Sequence, residues 1–362
     1  MSTDLLIHLS TMEGGGAEKA VADIANGLTQ RGKRIDLTLQ KAQGVNLSRL
    51  NDTVAVHDLR CFHPLLTIRR MARLIDELRP LAVMATLMYP VIATALAVRL
   101  ARHKPQFIIR EANSVAFYEQ ESFHKKYLVR TLLAKSYYLA DRIICVSDGV
   151  RAEVSERWPG IGIKAVTCRN PIDIQEIKAL ARQSVEHAWL RQKSGPVICA
   201  MGRLEPQKGF DLLIEALGWS THPEIRLVIL GEGQERRRLE RLASKLGVRE
   251  RVSLPGYRAN PYPVISAADV FVMSSRFEGT ANALIQALAC NVPCISTDCP
   301  HGPREILQSG RFGQLVPPGD SKGLAQAIDL AVEGETQDTD EALVAFDLES
   351  SLACYEQVLN KA

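Results

Sequence analysis

Several features that would settle a function class are missing from this chain of 362 residues. Its N-terminus, Met1-Ser2-Thr3-Asp4, has no basic stretch ahead of an apolar one, so it does not read as a signal peptide. Aromatic residues make up only 6%, and neither the 24 glycines nor the 17 prolines are in excess, which excludes collagen-like and low-complexity chains. A net charge of +3 gives no argument for a nucleic-acid partner. The eight cysteines contain no CxxC pair. Cys290, Cys294, Cys299 and His301 cluster in sequence, but not at the usual zinc spacing, so no metal is expected there. Without an export signal the cysteines read as reduced, buried thiols of a cytoplasmic protein.

Long hydrophobic runs are also scarce. One uncharged run, Leu81 to Val98, spans 18 residues. That is the lower edge of what a membrane-spanning helix needs, and Pro90 interrupts it. A strand over 81–88, a turn at Tyr89-Pro90 and a buried helix over 91–102 account for it better.

What is present is alternation. Apolar strand-like runs at Leu5–Leu9, Arg34–Leu39, Leu81–Met88, Gln106–Ile109 and Arg142–Val146 alternate with helical stretches at 17–31, 65–78 and 119–139. After Asn170-Pro171 a polar helical stretch runs to Gln192, and the pattern restarts. Strands are expected at 197–201, 226–230, 252–254, 270–273 and 294–296. Helices are expected at 210–217, 234–246, 261–267, 282–289 and 322–332. The pattern predicts α/β architecture: two Rossmann-like domains, each a parallel sheet with crossover helices, facing each other across a cleft. The domains are expected over 1–175 and 176–340. A helical C-terminal stretch, 341–362, is expected to cross back to the first. Charge is divided between the halves. Residues 1–180 hold 25 Lys+Arg against 18 Asp+Glu, and the remainder 19 against 23. The basic half is therefore the one expected to meet something anionic.

Ligands of such sheets bind beyond the carboxyl ends of the strands, and three segments there carry chemistry. The loop Gly14-Gly15-Gly16-Ala17-Glu18 joins the first strand to a helix. Glycines let a ligand approach the backbone, and the helix N-terminus suits phosphate. A dinucleotide fingerprint needs a third glycine where Lys19 stands, although Asp36 lies near the place of a ribose contact, so that reading stays weakly open. A tight turn without ligand is the plainer alternative. In the second half, Gly202-Arg203-Leu204-Glu205-Pro206-Gln207-Lys208-Gly209 follows a strand. A guanidinium fork and an ammonium at such a loop suit a diphosphate, although surface pairs of this kind are commonly just solvated. Finally, Ser274-Ser275-Arg276-Phe277-Glu278-Gly279-Thr280-Ala281-Asn282 leads into a helix expected to start near Thr280. There Gly279, Thr280, Ala281 and Asn282 would present backbone N–H groups, with Glu278 at the mouth and Gln286 further into the helix.

Read in order, these segments resemble the retaining glycosyltransferases of family 4, which have the GT-B fold. The resemblance covers nearly the whole chain. It also rests on Val146-Ser147, Asn170-Pro171-Ile172-Asp173, Leu230-Gly231-Glu232-Gly233, Leu254-Pro255-Gly256-Tyr257 and Cys299-Pro300-His301-Gly302-Pro303-Arg304-Glu305-Ile306. This last segment is similar to a subset that builds bacterial surface glycans. The resemblance implies that Arg203 and Lys208 hold the donor diphosphate and that Glu278 stands near the donor sugar. It implies that Gly15 and Gly16, with Gly14, close over phosphate and acceptor, and that Tyr257 borders the base. The family's second acid, which holds the ribose hydroxyls, falls at Gln286. A histidine that many relatives carry is missing from Ile109-Arg110-Glu111-Ala112-Asn113-Ser114, where Arg110, Glu111 and Asn113 are candidates to position acceptor or sugar.

The expected activity is thus transfer of a hexose-type sugar from a UDP- or GDP-sugar to a glycan or polyprenyl-linked saccharide in bacterial polysaccharide assembly. A GT-B epimerase of nucleotide sugars and a non-catalytic nucleotide-sugar binder are the alternatives. No Asp-x-Asp motif precedes a suitable strand, so neither a divalent ion nor another cofactor is expected. An anionic membrane surface is a further candidate partner. Residues 63–80 place Arg69, Arg70, Arg73 and Arg79 among leucines and isoleucines. Residues 117–139 place Lys125, Lys126, Arg130 and Lys135 among Phe117, Phe123, Tyr127 and Leu128. A solvated helix face is the plainer reading of both.

Overall fold

The computed structural model describes residues 3–13, 15–114, 123–334 and 338–360, with 123–128 described by their helix alone. The chain divides into two units. Unit 1 is Met1–Ile172 with Leu348–Ala362, and unit 2 is Asp173–Asp347.

Unit 1 is built on seven strands: β1 (Leu5–Leu9), β2 (Ile35–Leu39), β3 (Ala55–Asp58), β4 (Ala82–Thr86), β5 (Gln106–Glu111), β6 (Arg142–Cys145) and β7 (Ala165–Thr167). All pair in parallel, in the order β3-β2-β1-β4-β5-β6-β7. Strands of such a sheet are covered on both faces and so are continuously apolar. In β1, Leu5, Ile7 and Leu9 pack with Val21, Ile24 and Leu28 of the helix Gly16–Gln30. Leu6 packs on the other face with Met71, Ile75 and Ala97, from the helices Pro64–Leu78 and Met88–Leu100. His8 is wholly buried, its Nδ1 2.7 Å from Thr94 Oγ1, and burial lowers its pKa to about 4.

Unit 2 has six strands: β8 (Val197–Met201), β9 (Arg226–Leu230), β10 (Val252–Gly256), β11 (Val270–Met273), β12 (Cys294–Thr297) and β13 (Gln314–Val316). They too are parallel, in the order β10-β9-β8-β11-β12-β13. The helices Phe210–Trp219, Arg236–Lys245 and Ser321–Val332 supply Leu213, Leu239 and Ile328 to one core with Ile198, Ile229 and Val272.

The structure departs from the sequence reading in several places. Short edge strands β3 and β13 were not expected, nor were β7 and the helix Asp148–Arg157. Pro90 does not sit in a turn. It lies in the first turn of the helix Met88–Leu100, where proline's missing N–H costs nothing. The helical stretch expected over 341–362 is, among the described residues, three pieces: Asp340–Leu343, a 3-10 turn Val344–Phe346, and Leu348–Asn360. Its last piece packs Leu352, Tyr355 and Val358 into the core of unit 1. Gly27 leaves room for the Leu352 side chain that any Cβ would strike.

The cysteine expectation is corrected as well. Cys168, just after β7, and Cys354 on that last helix are disulfide-bonded, their Cα atoms 5.7 Å apart. The other six are free, and five of these are buried. Among the described residues no helix is long and apolar enough to cross a membrane, and no group of three or more His, Cys, Asp or Glu is arranged to hold a metal ion.

Candidate functional site

In each sheet the strand order reverses beside the first strand of the unit. Two loops diverge at that point, and ligands of open α/β sheets lodge there. In unit 2 the reversal falls between β8 and β11. The loop after β8 carries Arg203 and Lys208, and the loop after β11 carries Glu278. The structure joins them: Lys208 Nζ lies 2.6 Å from Glu278 Oε1, with the carboxylate 8% and the ammonium 20% exposed. Ser275 Oγ donates to the same Oε1 at 2.6 Å.

The two loops are knit by their backbones. Gly209 has φ 62°, and a Cβ there would run into the Ser274 carbonyl oxygen, so only glycine fits. Ser274 Oγ donates to the Lys208 carbonyl at 3.0 Å, and the Arg276 amide to the Gln207 carbonyl at 2.8 Å. Gln207 Nε2 reaches the Phe277 carbonyl at 3.0 Å. Arg276 grips Asp211 with two hydrogen bonds of 2.9 Å and the Pro206 carbonyl with a third of 2.7 Å. Burial alone would raise the Asp211 carboxyl, but the Arg276 hydrogen bonds and charge, with Arg238, hold it below its ordinary value.

Arg203 is placed differently. Its side chain is 53% exposed, and Glu205, 3.4 Å away, is its ion-pair partner. An exposed pair of this kind contributes little and yields readily to a better anion. The aliphatic stem of Lys208 packs over Gly202, where a Cβ would stand 3.2 Å from Lys208 Cδ. Both cations therefore border the same short loop.

The helix Asn282–Ala289 begins directly after Ala281, which takes a left-handed conformation (φ 55°, ψ 49°). Gly302, at φ 97°, lies against the Thr280 backbone, 3.0 Å from its carbonyl carbon to the position of a Cβ. Gln286 is buried at 9% exposure. Nearby Cys299 is pushed up to about 12, by burial first and then by the charge of Glu278. Tyr257, at the end of β10, is 53% exposed.

In unit 1 the order reverses between β1 and β4. Gly15 caps the helix that Gly16 begins, and the Glu18 side chain folds back to where a Gly15 Cβ would be. Gly14 lies outside the described residues. Across the reversal stands Leu87, a position the sequence did not single out. With φ 70° and ψ 149° it holds a conformation nearly confined to glycine, just before the helix Met88–Leu100. The three candidates at the end of β5 separate. Arg110 is 1% exposed, its guanidinium donating to Tyr355 Oη (3.1 Å), Thr86 Oγ1 (3.4 Å) and Asn170 Oδ1. Its donors serve the fold, tying the last helix to β4 and to the segment after β7. Glu111, 3% exposed, accepts from Tyr137 Oη and, at 3.2 Å, from the Asn113 amide. Asn113 is half-buried, leaving it the most accessible of the three.

Comparison with known proteins follows this division. Residues 14–176 match the family described as Glycosyltransferase Family 4, and residues 182–345 match Glycosyl transferases group 1. The lipopolysaccharide core biosynthesis glycosyltransferase LpsE of Rhizobium meliloti is 34% identical over 192 residues, which are 53% of this chain and 54% of that protein. A Campylobacter jejuni N-acetylgalactosaminyltransferase named for a diacetylbacillosaminyl-diphospho-undecaprenol substrate is 29% identical over 241 residues, 67% of this chain and 64% of its own. The chain thus spans roughly half to two thirds of these relatives' length. Among solved structures, HepE of Anabaena in complex with UDP superposes with a TM-score of 0.80 at 22% identity, covering 99% of this chain and 100% of that one. A sucrose-phosphate synthase from Thermosynechococcus elongatus reaches 0.83 at 16% identity, covering 99% and 98%. These neighbours show the GT-B fold.

Proposed function

Since the chain belongs to the glycosyltransferases that join a family 4 domain to a group 1 domain, we propose that it moves a hexose-type sugar from a nucleoside diphosphate donor to a glycan or lipid-linked saccharide, in bacterial lipopolysaccharide or related surface-polysaccharide assembly. The observation that carries this reading is the Lys208–Glu278 pair at the strand-order reversal of unit 2, with Arg203 exposed beside it. Kinship with proteins of lipopolysaccharide and undecaprenol-linked saccharide synthesis supports the pathway and the acceptor class. A neighbour of the same fold that holds UDP-glucose favours a uridine donor over a guanosine one.

Breaking the anomeric bond leaves negative charge on the diphosphate and cationic character on the sugar. An ammonium has three donor hydrogens, and Glu278 takes one, so Lys208 keeps two for phosphate oxygens. Arg203 adds a fork that fits a second pair of oxygens. Preorganised groups of this kind each contribute roughly 10²–10³ in rate. Two cations also supply the charge neutralisation that a divalent ion gives elsewhere, so the reaction is expected to proceed without one. Glu278 Oε2, which takes neither the lysine nor the serine, is the atom assigned to a sugar hydroxyl. The Gln286 amide is assigned to the ribose. In a retaining transfer the acceptor oxygen bonds to the anomeric carbon on the face that the phosphate leaves. The acceptor proton passes to the departing phosphate oxygen.

Thermal-shift titration with UDP- and GDP-sugars tests donor binding. Product formation with and without a saccharide acceptor then separates transfer from epimerisation and from binding alone. Loss of activity in EDTA would contradict the metal-free reading. Unaltered donor affinity in Lys208→Ala would contradict the site.

A further inference from the structure

The helix Pro64–Leu78 has more apolar surface than the core uses. Its inward stripe, Met71, Ala72 and Ile75 with Ile68, Leu74 and Leu78 beside it, packs against Leu6, Val83 and Ala97. Leu65 and Leu66, in the first turn, fall outside that stripe and are 66% and 40% exposed. Phe62, two residues ahead of the helix, is 56% exposed. Three large apolar side chains thus stand together in solvent at one corner, which calls for a partner.

The corner is built, not loose. Arg60 sits in a left-handed turn, φ 49°, and Arg70 Nη1 donates to the Leu59 and Arg60 carbonyls across it. The Cys61 amide bonds the Gln40 carbonyl at 2.9 Å, and Thr67 Oγ1 the Cys61 carbonyl at 3.3 Å. The charge around it has one dominant sign. Arg60 is 84% exposed, and Arg69 and Arg73 continue the exposed face at helical spacing. Asp58, 3.9 Å from Arg60 Nε, is the acidic residue at this end. Asp76 and Glu77 lie at the far end of the helix. The corner follows β3 as Gly15-Gly16 follow β1, so both stand at the carboxyl edge of the sheet.

We propose that this corner, with Phe62, Leu65 and Leu66 as the wedge and Arg60, Arg69 and Arg73 as the cationic rim, docks unit 1 on an anionic phospholipid bilayer. A lipid-borne acceptor would then be delivered to the edge of the sheet that carries the glycine loop. Only that purpose rests on the sugar-transfer reading; the docking itself does not. Apolar side chains entering the acyl boundary beneath a rim of arginines is the way an interfacial helix binds. Each rim arginine near an anionic surface is expected to strengthen binding about fivefold at physiological salt.

The test is co-sedimentation of the full chain with phosphatidylglycerol/phosphatidylcholine vesicles and with phosphatidylcholine alone, at low and high salt. Binding is expected only with the anionic lipid and is expected to weaken with salt. Leu65→Ser with Leu66→Ser should cut the partition coefficient by about tenfold or more. Arg69→Ser with Arg73→Ser should cut it by about 25-fold. Phe62→Trp should show an emission blue shift on the anionic vesicles. Each variant is matched to the parent in melting temperature and in donor-induced thermal shift, which reads the proposed site separately. Equal binding to neutral vesicles, or partitioning untouched by both double variants, would overturn the proposal. So would a parent that sediments as a dimer and becomes a monomer in Leu65→Ser/Leu66→Ser, since the wedge would then face a second copy.

Discussion

Lys208 Nζ rests 2.6 Å from Glu278 Oε1, across 70 residues of chain. Each neutralises the other before any ligand arrives. Substituting either therefore does two things: it removes a group from the site and leaves a poorly solvated charge behind. Lys208→Ala is expected to lower kcat/KM by about 10²–10³ and to cost roughly 1–3 kcal/mol of stability from the stranded carboxylate. Initial rates and denaturant midpoints measured together read both effects. A rate within twofold of the parent would remove Lys208 from the mechanism.

Gln286→Glu is the complementary change. A charged acceptor strengthens a hydrogen bond to a ribose hydroxyl from roughly 0.5–1.5 to 1.5–3 kcal/mol. Donor affinity is expected to rise about five- to tenfold, read by calorimetry. At 9% exposure the new carboxylate also has to be desolvated, so the ligand-free protein should melt earlier. An unchanged dissociation constant would take Gln286 out of the ribose site.

Gly209→Ala tests the loop weld. Left-handed backbone alone costs a non-glycine residue about 1–2 kcal/mol, and the clash with the Ser274 carbonyl comes on top of it. Gly32 is the control: its φ is 82°, but a Cβ there meets nothing within 4 Å. Both variants should lose stability, while only Gly209→Ala should lose donor binding. Equal donor binding in the two would show that the weld is not needed.

His8 gives the fold a pH dependence. Burial lowers its pKa to about 4, against an ordinary value near 6.5. Between those values the unfolded chain binds a proton that the folded one refuses, so stability rises with pH across that window. The contribution is fully present above about pH 6.5 and has gone by about pH 4, an amount on the order of 3 kcal/mol. Unfolding free energies at pH 7.5 and 5 should differ less in His8→Asn than in the parent. Parallel pH profiles in the two would exclude His8 as the source.

The Cys168–Cys354 bond closes a loop of sequence separation 186. Its loss is expected to cost about 2–4 kcal/mol. Cys354→Ser and reductant should lower the denaturant midpoint by the same amount and should not add. Additive losses would mean that the reductant acts elsewhere.

What could be read from sequence follows burial. Strands such as Val197–Met201 and Val270–Met273 are covered on both faces, so apolar runs marked their limits to the residue. Edge strands β3 and β13 are short and only partly covered, and left no such run. Motif order placed Arg203, Lys208 and Glu278 because each sits on a loop whose neighbours in sequence are its neighbours in space. It could not tell that Lys208 and Glu278 pair, nor that Arg110 is walled in by Tyr355, 245 residues away. Leu87 gave no signal, since a leucine's letter carries no trace of a glycine-like backbone.

The helix Leu348–Asn360 completes the core of unit 1, yet it is made after the whole of unit 2. Unit 2 is in effect an insertion within unit 1. During synthesis all of unit 2 emerges while the groove at Gly27, where Leu352 seats, still lacks its cover and Arg110 its tyrosine. Unit 1 is therefore begun before unit 2 and finished after it, and a ribosome stalled before residue 348 would leave that groove bare to chaperones.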